Sequence, residues 1–340
     1  MLNKVYRLVS AKQFEPVMIE EEITENTIIV RPTNLSICHA DQRYYTGNRD
    51  KEVLKKKLPM ALIHEGVGVV VKDYSETFKV GDRVVIVPNT PNESNDVVDE
   101  NYLLTSKFRS SGFDGLMQEY VFSTPDRLVK VPDCVSENVA AYSELVSVAI
   151  HSIDRVERIR NDDLESFGIW GDGSLGYITA NVLHDRYPSS KIYVFGKDEE
   201  KLSLFSFVET FTIDEIPSNL KISHCFECVG GRASGNAINQ IIDYIKPQGT
   251  IGIMGVSEDE IPVNTRMILE RGLTISGTSR SSALDFKQSM AYLSEFKSAR
   301  KRIENLMSKK VHVRKIDDIH KAFEVDMYSG FGKTVISWDI

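Results

Sequence analysis

Cysteine is scarce: Cys38, Cys134, Cys225 and Cys228 are the only four in 340 residues. They are too few and too scattered for a disulfide framework, and they point to a reducing cytoplasm. No apolar run of membrane-spanning length occurs, so no membrane partner is expected. The opening residues Met1 to Arg7 lack the apolar core of a secretory signal, which again leads us to expect a cytoplasmic protein. Nor is there a surplus of positive charge. With 41 Lys and Arg against 49 Asp and Glu, the formal charge is −8, which argues against a nucleic-acid partner that would demand a broadly basic surface. Internal repeats and low-complexity tracts are absent as well. What is present is an ordinary globular balance, 41% apolar and 26% charged, in a chain long enough for two domains.

One stretch organises the rest. In Phe167-Gly168-Ile169-Trp170-Gly171-Asp172-Gly173-Ser174-Leu175-Gly176 an apolar run stops at a Gly-x-Gly-x-x-Gly, and Tyr177 to Leu183 follows with apolar residues at helical spacing. The pattern predicts strand, tight turn and helix. Gly171, Gly173, Ser174, Leu175 and Gly176 are therefore candidates to cradle a pyrophosphate, with the helix N-terminus supplying unpaired N–H groups. Taken alone the motif also describes a glycine-rich turn with no ligand.

Residues 1 to about 145 read as β-rich, with short β-branched or aromatic runs at 28–30, 66–71, 84–87 and 120–122. Residues 89–111 carry little periodicity and read as a long surface excursion without cysteine. From about 145 to 280 strands alternate with helices, which implies a parallel sheet covered on both faces. Strands are expected at 191–195, 224–229, 250–254 and 273–276, and helices at 198–207 and 236–245. A long amphipathic stretch, 285–307, and two further strands, 311–313 and 333–336, complete the chain.

A dinucleotide fold usually carries an acid at the end of its second strand, where it binds the adenosine ribose. Here that place reads Phe195-Gly196-Lys197. Gly196 leaves space and Lys197 brings positive charge, so NADPH is expected over NADH. Asp198 is either the acid in a shifted register or the cap of the next helix. Cys225 and Cys228 form a Cys-x-x-Cys within a strand expected to be buried. We read them, and Cys134, as structural.

Upstream lie Cys38, His64-Glu65 and Glu144. A thiolate, an imidazole and a carboxylate from separate segments make three corners of a zinc tetrahedron and leave one position open, the arrangement of a catalytic site. Singly, each has an ordinary alternative: a buried small thiol, a satisfied core histidine, a surface acid. Beside a dinucleotide domain their joint occurrence favours zinc.

Cys38 with Asp41, His64-Glu65 with Gly68, Gly81-Asp82-Arg83-Val84, Gly115 through Glu119-Tyr120, Glu144 and the Gly171 to Gly176 turn follow one another as they do in zinc-dependent medium-chain dehydrogenases. The resemblance spans nearly the whole chain. Cys38 through Gly47, Leu62 through Gly68 and Phe167 through Gly173 resemble most the branch of bacterial ribulose-5-phosphate reductases, which make ribitol 5-phosphate for CDP-ribitol and hence for teichoic acid or capsule polymers. The resemblance implies a GroES-like catalytic domain, 1–145 with 285–340, and an inserted Rossmann NADP-binding domain, 146–284. It implies one catalytic zinc on Cys38, His64 and Glu144, with Glu65 a fourth or exchanging ligand. It also implies a homodimer joined through the Rossmann sheet, and a functional pairing with a ribitol-5-phosphate cytidylyltransferase. Two departures stand out. Ala40 replaces the usual proton-relaying hydroxyl, so water or Glu65 must serve, and 89–111 lacks the cysteines of a second, structural zinc.

The expected chemistry is reduction of ribulose 5-phosphate, with zinc polarising the ketone oxygen and NADPH giving hydride. Arg43, Arg49 and Arg109 are candidates for the substrate phosphate, and Arg280 for a substrate or cofactor phosphate. His39 is a candidate for the cofactor pyrophosphate, and Tyr44 and Glu119 for substrate hydroxyls. Two other readings stay open: an NAD(P)-dependent zinc dehydrogenase of an unphosphorylated sugar alcohol, and a catalytically silent NADPH-binding protein.

Overall fold

Period-two apolar patterning and β-branched runs in the first third of the chain become antiparallel sheet in the computed structural model, which describes residues 1–340. Backbone contacts divide the chain into two units, Met1–Ser147 with Arg280–Ile340, and Val148–Ser279. The fold class is the expected one, a β-rich GroES-like unit and a Rossmann-like parallel-sheet unit.

In the first unit the strands run, in spatial order, Leu128–Lys130, Arg83–Ile86, Glu65–Asp73, Ile28–Ser36, Lys333–Trp338 and Met307–Val313, with Val121–Ser123 also pairing with Ile28–Ser36. The end of the chain thus completes a sheet begun near its start. Ser36 faces Glu65 on one side and Val335 on the other, a register that brings Lys333 towards Glu65 across one intervening strand. Tyr6 meets Trp338 edge to face at 5.5 Å, and Trp338 Nε1 donates to the Gln118 carbonyl at 2.8 Å. Tyr45 stacks on Phe323 at 4.6 Å, so aromatic packing reinforces the same closure. A smaller sheet is built from Leu2–Ser10, Gln13–Glu20 and Met60–Ala61.

In the second unit six parallel strands lie in the order Glu209–Thr212, Lys191–Gly196, Ser166–Trp170, Ile222–Glu227, Ile245–Ile253 and Thr274–Gly277. Ser166–Trp170 is buried throughout, and so is the helix Ser174–Arg186 from Gly176 to Leu183. The strand therefore shows no alternation of apolar and polar residues, while the helix also buries Thr179 and Asn181.

Several expectations need correction. The helix expected over 198–207 is shorter, Glu199–Ser203, because the chain turns at Leu204 and Phe205 into the strand Glu209–Thr212. The stretch 285–307 is two helices, Ala283–Glu295 and Lys297–Glu304, which meet at Phe296. Residues 89–111 are not merely a surface excursion, since Phe108 and Ser110 are buried. Cys225 is core, but Cys228 is half-buried just past its strand and Cys134 is exposed. No helix is long and apolar enough to cross a membrane.

Candidate active site

Cys38 caps the helix His39–Tyr45, and Asp41 in its first turn accepts from the Cys38 N–H at 3.1 Å. The other Asp41 oxygen accepts from the Ile63 N–H at 2.9 Å and from the Ser110 hydroxyl at 2.7 Å. One fully buried carboxylate thus ties three separate segments together. Ile63, next to His64, has φ of 68°, a left-handed conformation costly for a β-branched residue. Its N–H is held by Asp41 and its carbonyl by the Leu116 N–H at 2.7 Å, so the surroundings fix the strained turn. A Cβ on Gly115 would meet the Ile63 carbonyl oxygen at 2.3 Å, which is why glycine stands there.

This scaffold brings the ligand atoms of Cys38, His64 and Glu65 within 4.8 Å of one another. Softness and spacing both suit zinc. Burial pushes the Cys38 thiol up, against the hydrogen bond it shares with His64. For His64 burial acts downward, but the bond to Cys38 and the charges of Asp41, Cys38 and Glu144 outweigh it and hold the imidazolium up to about 10. The pair therefore keeps a proton that a metal ion displaces on binding. Glu144, in the first turn of the helix Ser143–Ile159, is buried and faces the same cluster. Burial and the neighbouring Glu65 raise it to about 7, while His64 and Lys333 act the other way.

The sequence reading missed Lys333. Its side chain is 9% exposed, and its ammonium donates to Glu65 Oε2, whose side chain is wholly buried. Burial draws the Lys333 ammonium down, and the charges of Glu65, Cys38 and Glu144 more than restore it. A lysine 268 residues downstream offers no local signal, and only the strand register reveals it.

The glycine turn has the geometry of a phosphate cradle. Gly171 has φ of 132°, and a Cβ there would strike the Cys228 backbone at 2.9 Å. On Gly176 a Cβ would meet the Gly171 oxygen at 2.0 Å, whereas one on Gly173 would meet nothing within 4 Å. Two glycines are thus needed for packing, and the third leaves open space for a ligand against the backbone. Ser174 and Leu175 begin the helix, whose first turn carries no acid and whose Gly173 cap offers no side-chain acceptor.

The region of Gly196 differs from expectation. The space above this glycine is filled by Asp172, which would approach a Cβ there to 2.5 Å. The Asp172 carboxylate accepts from the N–H groups of Lys197 at 2.7 Å and Asp198 at 3.0 Å. An acid thus does reach the strand end, from the glycine turn rather than from the strand itself. Asp198 is a helix cap, accepting from the Lys201 N–H at 3.1 Å. Lys197 has no carboxylate paired with its ammonium.

The remaining candidates separate. Arg49 lies over the Tyr44 ring at 4.2 Å, and burial, followed by the charge of Arg49, draws the neighbouring Arg43 guanidinium down. Arg280 lies over the Phe108 ring at 4.7 Å, and that ring is 5.3 Å from His64. Arg109 is not brought to this group. Its buried guanidinium donates to the carbonyls of Phe122 at 2.9 Å and Asp114 at 3.4 Å and serves its own loop. His39 is exposed at the start of its helix, and Glu119 lies beside Tyr6.

Residues 24–133 match the alcohol dehydrogenase GroES-like domain, and residues 210–295 match the zinc-binding dehydrogenase domain. The chain belongs to the zinc-dependent medium-chain dehydrogenase family. Within it, the chain is 50% identical over 341 residues to the ribulose-5-phosphate reductase of Bacillus spizizenii, covering 100% of both, and 43% identical to that of Streptococcus pneumoniae, covering 100% of this chain and 98% of the relative. It is also similar to the crystal structure of Staphylococcus aureus TarJ in complex with NADPH, with a TM-score of 0.90 and 46% identity over 100% of each chain.

Proposed function

We propose that this protein reduces D-ribulose 5-phosphate to D-ribitol 5-phosphate with NADPH and one zinc ion per chain, feeding CDP-ribitol synthesis for teichoic acid or capsule polymers. The observation that carries the reading is the full-length 50% identity to a ribulose-5-phosphate reductase, in a chain that gathers half-buried Cys38 with buried His64 and Glu65 in one cluster. The unit Met1–Ser147 with Arg280–Ile340 is the catalytic domain in this reading, and Val148–Ser279 the cofactor domain.

When bound, zinc supplies a Lewis acid at the ketone oxygen and NADPH supplies the hydride that reaches its carbon, leaving NADP⁺. Cys38, His64 and Glu144 would hold the metal, with Glu65 as the exchanging ligand. Lys333 restrains Glu65 by their ion pair, so the carboxylate leaves one partner whenever it engages another. The Gly171 to Gly176 turn and the N–H groups of Ser174 and Leu175 would hold the pyrophosphate, and Lys197 the additional phosphate. The product alcohol needs one proton. With Ala40 at the usual relay position, that proton originates from water, directly or relayed by Glu65, whose Oε1 is buried without a hydrogen-bond partner.

NADPH oxidation with ribulose 5-phosphate, ribulose, xylulose and simple ketones tests the reading, together with the zinc content of the purified protein. Equal rates with ribulose would favour a dehydrogenase of unphosphorylated sugars, and zinc-free protein without hydride transfer would favour a silent NADPH-binding protein. Four free thiols, one of them at the metal cluster, fit a reducing cytoplasm. We also infer a homodimer joined through the edge strand Thr274–Gly277, where Ile275 is 37% exposed, and pairing with a ribitol-5-phosphate cytidylyltransferase. Light scattering of the protein alone and mixed with that enzyme checks both.

A further inference from the structure

Three cations from distant parts of the first unit gather without an acid between them. Lys57, the last residue of the helix Lys51–Lys57, donates from Nζ to the Ser111 hydroxyl at 2.8 Å. Burial draws its ammonium down, and the positive charges of Arg49, Arg280 and Lys56 draw it further, with no carboxylate opposing them. Arg280 is likewise lowered by burial alone. Asp41, whose charge is felt at Tyr44, is committed to the Cys38 and Ile63 N–H groups and the Ser110 hydroxyl. Bringing like charges together out of water opposes folding unless an anion is to be held there.

The groups around them are arranged for such an anion. Arg49 lies over the Tyr44 ring and Arg280 over the Phe108 ring, cation–π contacts that do not consume the guanidinium N–H donors. The Arg49 Nε is buried without a hydrogen-bond partner. So is the hydroxyl of Tyr44, a residue 2% exposed, which lies against Ser111 outside hydrogen-bonding geometry. Arg280 and Ser110 adopt left-handed backbone, φ 61° and 57°, and such strain is retained where surrounding structure over-determines it, commonly at ligand sites. Phe108 touches both Arg280 and His64, so only one aromatic ring separates the cation cluster from the metal cluster. In a ketopentose 5-phosphate five bonds separate the carbonyl carbon from phosphorus, roughly 6 Å when extended. A substrate of that length, held at both ends, reaches from one cluster past the Phe108 ring towards the other.

We propose that Arg49, Lys57 and Arg280, with Ser111 and Tyr44, form a phosphomonoester site that takes the terminal phosphate of the substrate. The proposal rests on the reading of the protein as a sugar-phosphate reductase; of the expected phosphate residues it keeps Arg49 and Arg280, sets aside Arg43 and Arg109, and adds Lys57. The anion neutralises the three cations, engages the Arg49 Nε–H and the Tyr44 hydroxyl, and fixes how far the carbonyl lies from the phosphate. An unphosphorylated ketose gains none of this.

The test uses full-length zinc-loaded protein and the variants Lys57→Gln and Arg280→Gln. Each should lower kcat/KM for ribulose 5-phosphate by about 10- to 100-fold, mainly through KM, as expected for a charge-assisted contact. The rate with ribulose and the dissociation constant for NADPH should stay within about 2-fold. Equal loss with ribulose and ribulose 5-phosphate would overturn the proposal, and a loss confined to NADPH affinity would move the site to the cofactor. Inorganic phosphate provides a readout independent of catalysis. It should raise the melting temperature of the wild type but not of Arg280→Gln, and no difference between them would also overturn the site. If the wild type is stabilised in this way yet fails to reduce ribulose 5-phosphate, the phosphate site stands and the assigned substrate falls.

Discussion

Lys333 and Glu65 form a buried ion pair inside the cluster that also contains Cys38 and His64, although 268 residues separate them in the chain. Removing one member of a buried pair leaves an uncompensated charge, at a cost of about 3–5 kcal/mol. Lys333→Met should therefore lower stability by about that amount in metal-free protein. With zinc bound the cation at the centre compensates Glu65 instead, so the deficit should shrink. Calorimetric melts of both proteins with and without zinc check this, and a deficit unchanged by zinc would contradict it.

Asp41 makes a second prediction. It accepts from Cys38, Ile63 and Ser110 and so positions two of the metal-binding segments at once. Asp41→Ala should weaken zinc binding by about 10- to 100-fold, the range typical when an outer-shell partner is lost. Competition against a chromophoric chelator measures it. Asp41→Asn, which keeps one acceptor oxygen, should recover part of the loss, whereas equal affinity in all three proteins would show that the segments are held by other means.

How far the site was legible depended on where its information resides. Cys38, His64 and Glu65 lie in short segments whose residue chemistry alone suggests a metal, and the glycine turn announces itself through spacing. Lys333 becomes a neighbour only because Lys333–Trp338 pairs with Ile28–Ser36, a long-range register with no local pattern. Lys57 ends a run of three lysines on a helix with no buried residue, so its sequence context reads as solvated surface. Arg109 reads the opposite way: a polar, turn-rich context suggests exposure, yet the guanidinium is buried and bound to carbonyls. Asp172 was hidden because its role at the end of the strand Lys191–Gly196 is played from the neighbouring strand's turn.

Cofactor choice rests on Lys197 in this reading. Because the Asp172 carboxylate is occupied by the N–H groups of Lys197 and Asp198, the Lys197 ammonium is left to meet the additional phosphate of NADPH. Lys197→Ala should weaken NADPH binding by about 10-fold, the value of one charge-assisted contact, and leave NADH binding nearly unchanged. Fluorescence titration with both nucleotides distinguishes this from a general loss of affinity. A parallel fall for NADH would mean that the lysine supports the turn instead.

The last prediction concerns pH and a histidine remote from any proposed chemistry. His224 is fully buried, and its Nδ1 accepts from the Thr250 N–H at 3.2 Å. Burial first, and then the charge of Arg160, depress it from 6.5 to about 4, against the pull of the Asp163 and Asn161 backbone. In the unfolded chain the imidazole takes up a proton as pH falls through its ordinary value, but in the folded chain it does so only near 4. Stability is therefore lost as pH falls from about 6.5 towards 4 and levels off below, by an amount on the order of 3 kcal/mol. His224→Asn, which keeps an acceptor for Thr250 but cannot titrate, should flatten the curve of unfolding free energy against pH over that interval. Denaturant titrations from pH 4 to pH 7 on the two proteins measure the difference. Parallel curves would assign the acid sensitivity to other groups.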